Sequence, residues 1–232
     1  MFYPGFYFDP TYIILIPAVI IAFWAQMKVD STYKKYRSVR TINGNTGSEI
    51  ARNILDSAGL FDVRLERVST HLGDHYDPTS KVVRLSPEVY DGATIAAAGI
   101  AAHECGHAIQ HQTSYKPLVL RTQIAPVVNI GSQLSMILFM IGIFFGSPML
   151  ARFGIIFFGA AVLYQLVTLP VEFNASTRAL SILKTRGFLY GDEIKGAQNV
   201  LDAAAMTYVA ATLMAISQLI RLIALNNRYN DN

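Results

Sequence analysis

The chain is 232 residues long, 52% hydrophobic and only 15% charged, with a formal net charge of +3. That is too apolar for an ordinary soluble domain and points to a membrane protein. No basic run is interleaved with aromatics, so nucleic acid is not indicated as a partner, and the single cysteine, Cys105, excludes an internal disulfide.

Residues 10–27 carry no charge and lie between Asp9 and Lys28. They predict an N-terminal transmembrane anchor, assigned to residues 1–29. It reads as uncleaved, because neither a basic leader nor a small-x-small cleavage site accompanies it. A more polar α+β part follows, 30–121. Thr46-Gly47-Ser48-Glu49 is a capping box that starts a helix running to about Ser57, with Gly59 as its stop. Phe61, Val63 and Leu65 alternate with Asp62, Arg64 and Glu66, the pattern of a half-buried strand. Residues 81–86 read as a second strand.

Between the strands lies a polar loop, 71–78. Its His75 and Tyr76 can donate hydrogen bonds to a tetrahedral oxyanion, or the side chains can simply hold a turn. His71 and His75 make a poor second metal pair, because Gly73 and Asp77-Pro78 mark the segment as loop rather than helix. Strand 81–86, next to the following helix, is expected to offer an edge to a peptide or membrane-protein substrate in extended conformation.

From Gly92 to Tyr115 there is no Pro and no charge but Glu104. An Ala-rich stretch of this kind predicts a buried helix. Within it stands His103-Glu104-Cys105-Gly106-His107, an H-E-x-x-H run. Positions i and i+4 share one helix face, so two imidazoles can grasp one Zn²⁺. Glu104 beside them is placed to act on the water that a catalytic zinc keeps in its open position. The competing reading, two unrelated histidines and a salt-bridged Glu, requires partners for buried polar groups. Cys105 is expected to be a small residue on the packed side. His111, eight residues beyond His103, would stand about 12 Å up the axis. It reads as a polar helix-end residue and not as a ligand.

Residues 122–171 predict a transmembrane helical hairpin, with spans near 124–145 and 149–169 and a turn at Gly146-Ser147-Pro148. Gly142 and Gly146 form a small-xxx-small pair that allows close helix contact. Pro170 then reads as a helix start with Glu172 in the first turn, and segment 172–202 as the third-ligand helix and its connection. A carboxylate from a second helix completes a two-His, one-Glu zinc site; the bland alternative is a Glu stabilising a helix N-terminus. The last apolar stretch, 203–220 within 203–225, is either a fourth span or a core helix, and 226–232 is a polar tail. Arg152 and Arg221, at span ends, are expected to snorkel. The fold class is therefore mostly α and integral to a membrane. Three or four transmembrane helices carry a small zincin-like α+β part with a short sheet and the H-E-x-x-H helix.

Twelve of the nineteen Lys and Arg fall between Lys28 and Arg121, and Arg178, Lys184, Arg186 and Lys195 follow the hairpin. The positive-inside tendency puts both stretches in the cytoplasm. The hairpin crosses twice, so the H-E-x-x-H helix and Glu172 return to one side.

The strings DHYDP (74–78), VRLS (83–86), AAHECGHAIQ (101–110) and LPVEFNAS-R-A (169–179) resemble the YugP-type neutral zinc metallopeptidases of bacterial membranes, over roughly residues 45–215. The resemblance implies a zinc peptidase of the cell membrane, distantly related to the HtpX and CAAX-prenyl endopeptidase type. It implies one Zn²⁺ per chain on His103, His107 and Glu172, with Glu104 as general base. In such relatives an Asp often stands four residues after the ligand Glu and orients a ligand His. Here that place is Ser176, so the contact is weaker or comes from Asn174 or Asp77. Arg178 is a further oxyanion candidate. The expected activity is hydrolysis of peptide bonds, in a chain that works alone or as an oligomer. The alternative is a non-catalytic, zinc-stabilised membrane scaffold or peptide-binding adaptor. A transporter is disfavoured, because the spans contain almost no ionisable residues.

Overall fold

A computed structural model describes residues 9–70 and 73–230, which leaves His71 outside the described residues. A 3-10 turn, Pro10–Leu15, leads into α1 (Ile16–Tyr36). Then come α2 (Gly47–Ser57), β1 (Arg64–Arg67), β2 (His75–Asp77), β3 (Val82–Leu85), α3 (Pro87–Tyr90), α4 (Ile95–Gln112), α5 (Lys116–Phe144), α6 (Pro148–Thr185) and α7 (Asp192–Asn230). The chain forms two compact units. One comprises Met1–Trp24, Ile124–Leu166 and Ala210–Asn232; the other comprises Ala25–Gln123 and Val167–Val209.

The first unit is helical. Its large apolar side chains point outward: Phe23 is 67% exposed, Val127 72% and Phe144 83%. Such faces suit hydrocarbon, where every backbone group is already paired within its helix. Among the described residues, four helices (Pro10–Tyr36, Lys116–Phe144, Pro148–Thr185 and Asp192–Tyr229) are long and apolar enough to cross a bilayer. The architecture is that of a mostly α membrane protein. Gly142 allows close contact of α5 and α6, because a Cβ there would collide with the Ala151 backbone. Gly146 closes the turn between the two helices at φ +62°, a left-handed conformation that glycine adopts without strain.

Arg221, expected to snorkel, has partners within its own unit. Its Nη2 lies 3.0 Å from Asp9 Oδ2, and its guanidinium sits 3.9 Å over the Tyr12 ring. A carboxylate and an aromatic face close by hold the guanidinium. Two helices are longer than the sequence predicts. Segment 172–202 does not begin a new helix, because α6 runs unbroken through Pro170. The proline costs one backbone bond, a loss that apolar surroundings and a neighbouring helix tolerate. The Tyr115 hydroxyl lies 3.5 Å from the Pro170 carbonyl. The last helix starts at Asp192 rather than near 203. Glu193 accepts from the Tyr190 N–H (3.0 Å) and caps the start, and acidic residues favour a helix N-terminus.

The second unit packs a three-stranded sheet and α2 against α4. The capping box forms as expected: Thr46 Oγ1 accepts from Glu49 N–H (3.2 Å), and Glu49 Oε2 accepts from Thr46 N–H (2.8 Å). Gly59 ends the turn after α2 at φ +73°. Strand order is β1-β3-β2, with β1 parallel to β3 and β2 antiparallel to it. The sheet corrects three expectations. The first strand starts at Arg64, where it gains β3 as a partner, and Phe61 stays outside it, 76% exposed. The loop 71–78 contains a strand, His75–Asp77, which pairs with Val82–Arg84. Strand 81–86 offers no edge, because β3 is paired on both sides; the edge strands are β1 and β2.

Helix α4 is buried almost all round. Ala98, Ala101, Ala102, Cys105 and Ala108 have no exposed surface and pack with Ile50, Ala51, Ile54 and Leu55 of α2. The Cys105 thiol lies 3.6 Å from the Ala51 carbonyl, and burial pushes its pKa up. A thiol held protonated and covered is inert. Iodoacetamide should therefore leave Cys105 unmodified in the native protein and label it only in denaturant; labelling at equal rates in both states would show this face to be open.

Candidate metal centre

The centre lies wholly within the second unit, where α4 and α6 cross. The contacts run in opposite directions along the two helices. Gln110 meets Val171 and Asn174, His107 meets Glu172, and His103 meets Ser176. Glu172 and Ser176 are one turn apart on α6, as His103 and His107 are on α4, so both pairs project into one gap. Gly106 makes the approach possible. A Cβ there would stand 2.8 Å from the Ala175 carbonyl oxygen, and Ala175 itself is fully buried.

Glu172 is 3% exposed. Its Oε2 lies 3.3 Å from His103 Nε2 and 3.4 Å from His107 Nε2. Among the described residues, these three side chains are the group whose ligand atoms could hold a metal, all within 4.8 Å of one another. The two rings are nearly perpendicular, 4.7 Å between centroids. Oε2 is buried yet accepts no hydrogen bond. An orphaned, buried carboxylate oxygen is costly. Two imidazole nitrogens and one carboxylate oxygen converging on a point are the donor set of a catalytic zinc. The residues fit the ion.

The far sides of these side chains are held too. Gln110, fully buried, donates its Nε2 hydrogens to the Val171 carbonyl (2.8 Å) and to Asn174 Oδ1 (3.0 Å). Its Oε1 therefore faces His107 Nδ1 at 3.0 Å. An amide oxygen only accepts, so Nδ1 must carry the proton and Nε2 presents a lone pair to the gap. Burial works against a charged His107, but the Glu172 and Glu104 carboxylates and the Gln110 amide together outweigh it and raise its pKa. A proton and a cation thus compete for the same place. Ser176 Oγ lies 3.1 Å from His103 Nδ1. Arg121, from α5, holds the other oxygen of Glu172, with Nη1 2.9 Å from Oε1.

A cavity of about 220 Å³ adjoins the group, lined in part by His103, Glu104, Glu172, Ser176, Asp74 and Tyr208. Glu104 is 8% exposed, on the same helix as the two histidines.

Of the remaining candidates, Ser176 touches a histidine directly and Asn174 touches one through Gln110. Four do not aim at the centre. His75 Nδ1 faces the Gly73 carbonyl at 2.8 Å and its Nε2 faces Arg84. The Tyr76 hydroxyl pairs with His111 Nδ1 at 2.8 Å, and burial together with the Asp62 and Asp77 charges pushes its pKa up to about 12. Asp77 spends both oxygens on Thr79, Ser80 and Arg84, which hold its carboxyl well below the usual range, Ser80 foremost. Arg178 donates to Asn174 Oδ1 at 2.8 Å. The reason is common to the three residues of segment 75–77: once it is a strand, side chains alternate and its polar groups find partners in the sheet and the turn.

Sequence reasoning missed Arg121, Gln110, Tyr208 and Asp74. Gln110 lies three residues after His107, a spacing that shares a helix face, and that signal was legible. Asp74 opens the DHYDP string and accepts from Ser86 N–H (2.7 Å) and Ser86 Oγ (3.0 Å); burial raises its pKa against those bonds, and the charge of Glu104 adds to the rise. Arg121 and Tyr208 come from helices whose crossing no local pattern announces.

Comparison with known proteins agrees with this geometry. A family model described as "Putative neutral zinc metallopeptidase" matches residues 11–227. The "Putative membrane protease YugP" of Bacillus subtilis (strain 168) is 53% identical over 215 residues, covering 92% of this chain and 96% of that protein. No solved structure matches. With nearly the whole chain matched, and the metal group inside the matched region, this protein belongs to the zinc metallopeptidase family which that model describes.

Proposed function

We propose that the chain is a membrane-embedded zinc metalloendopeptidase, with one Zn²⁺ held by His103, His107 and Glu172 and with Glu104 as general base. The observation that carries this reading is the buried Glu172 Oε2, which accepts no hydrogen bond and faces two imidazole nitrogens. When bound, zinc supplies Lewis-acid chemistry, polarising the scissile carbonyl and acidifying a water to near neutrality. Glu104 would accept a proton from the attacking water and return it to the leaving amine. Gln110 keeps His107 in the required tautomer, and Ser176 helps to orient His103. Arg121 restrains one oxygen of Glu172 and leaves the other for the ion. The three-residue group supports a catalytic site over a closed structural one, which would have four protein ligands.

An extended substrate would pair along β2, the edge strand that packs on α4, rather than along residues 82–85. We place the chain in a bacterial plasma membrane as a multi-pass protein. Residues 28–121 and 172–197 lie in the cytoplasm, as their Lys and Arg content favours.

The test is metal removal. Purified protein should contain about one zinc per chain and cleave unstructured peptides. A chelator should abolish both, and added zinc should restore both. Cleavage that survives complete zinc removal would refute the proposal. Gln110→Leu should lower zinc affinity by about 10–100-fold, as loss of a ligand-orienting partner does. Competition against a chromogenic chelator reads this, and unchanged affinity would show that Gln110 only packs.

A further inference from the structure

A cavity of about 220 Å³ lies beside the metal group. Beyond the residues named above, its wall is mostly apolar: Val29 of α1, Ile100 of α4, and Val200, Leu201, Ala204 and Ala205 of α7, with Asp30 and Tyr33 of α1 beside them. On α7 these positions recur at three- and four-residue steps, so they share one helix face. One turn earlier, α7 lies against α4: a Cβ on Gly99 would meet Ala197 Cβ at 3.6 Å. Further along α7, the small side chains of Ala204 and Ala205 leave the space open. A cavity of about 150 Å³ lined by aliphatic and aromatic side chains is enough to bind benzene, and this one is about 220 Å³. The charged groups lining it besides Glu104 and Glu172 are both acidic, Asp30 and Asp74. An acidic side chain entering the cavity would be repelled as well as desolvated.

We propose that this cavity is the subsite for a side chain flanking the bond to be cleaved, and that it takes an uncharged, apolar residue up to the size of Phe. Ala204 and Ala205 set its depth. The inference rests on the peptidase reading and names its substrate class: peptides with a large apolar residue beside the scissile bond.

The experiment uses the zinc-loaded full chain in nanodiscs. One arm measures kcat/KM on peptide series varied at each position flanking the cleaved bond. The other measures thermal stabilisation by the N-acetyl hydroxamates of Gly, Leu, Phe and Asp, which report binding beside the metal without turnover. Wild type should prefer Leu or Phe to Gly by about 10²-fold or more, as a few methylenes in an apolar pocket provide, and should reject Asp. Ala204→Phe, with Ala205→Leu as the second variant, should move the preference to small residues in both arms while zinc content stays that of wild type. An unchanged side-chain ranking in variants that keep zinc overturns the subsite. So does equal stabilisation of wild type by the Gly and Leu hydroxamates. If wild type carries zinc but cleaves no better than Glu104→Gln, the peptidase reading falls instead, and the hydroxamate ranking still decides what the cavity accepts.

Discussion

Glu104→Gln is expected to retain wild-type zinc and lose about 10²–10⁴-fold in kcat, the usual contribution of a positioned general base. The reasons are local. Glu104 is not in the three-residue metal group, so an isosteric amide leaves the ligands intact. It is 8% exposed, on the helix that carries both histidines and at the wall of the same cavity, so a neutral amide disturbs the fold little. An amide cannot accept and return a proton, and only that function is removed. The measurement pairs metal analysis with single-turnover peptide cleavage. Turnover within a few-fold of wild type would exclude Glu104 as the base. Parallel loss of zinc and activity would mean that it serves the metal instead.

Glu172→Ala should lose the metal. A four-ligand zinc site is worth about 10–16 kcal/mol, so one ligand's share corresponds to a fall in affinity on the order of 10²–10³-fold. The substitution also strips Arg121 of its carboxylate partner at 2.9 Å. Arg121 remains partly accessible to water, its side chain 25% exposed, so the structural penalty is modest. Glu172→Gln separates the two effects. Its amide oxygen can still accept from Arg121, which preserves the α5–α6 contact, yet a neutral amide is a poorer zinc ligand than a carboxylate. Both variants should fold with wild-type helicity, and both should bind zinc more weakly. Wild-type affinity in Glu172→Gln would count against ligation and leave Glu172 as a partner of Arg121 alone.

How much of this was legible in sequence depends on the range of the interaction. The capping box at Thr46, the buried Ala-rich helix and the hairpin turn at Gly146 are properties of a few consecutive residues, and each is where its pattern puts it. Pro170 misleads because proline favours the first turn of a helix, so local pattern alone reads it as a start. Within apolar surroundings the helix continues, since breaking more backbone bonds there costs more than losing one. Strand β2 was hidden because its three residues are stable only through pairing with β3, a partner that local composition does not reveal.

The site divides along the same line. The sequence by itself determined the pair of imidazoles on one helix turn, the acid between them and the apolar lengths of the membrane helices, because the periods of helix and bilayer are written in adjacent residues. Only the tertiary structure decided that Gly106 admits the Ala175 backbone, that Glu172 arrives with one oxygen held by Arg121 and one left over, and that Gln110 rather than Asp77 fixes a tautomer. Those facts depend on how closely two helices cross, and helix spacing is set by the fit of whole faces.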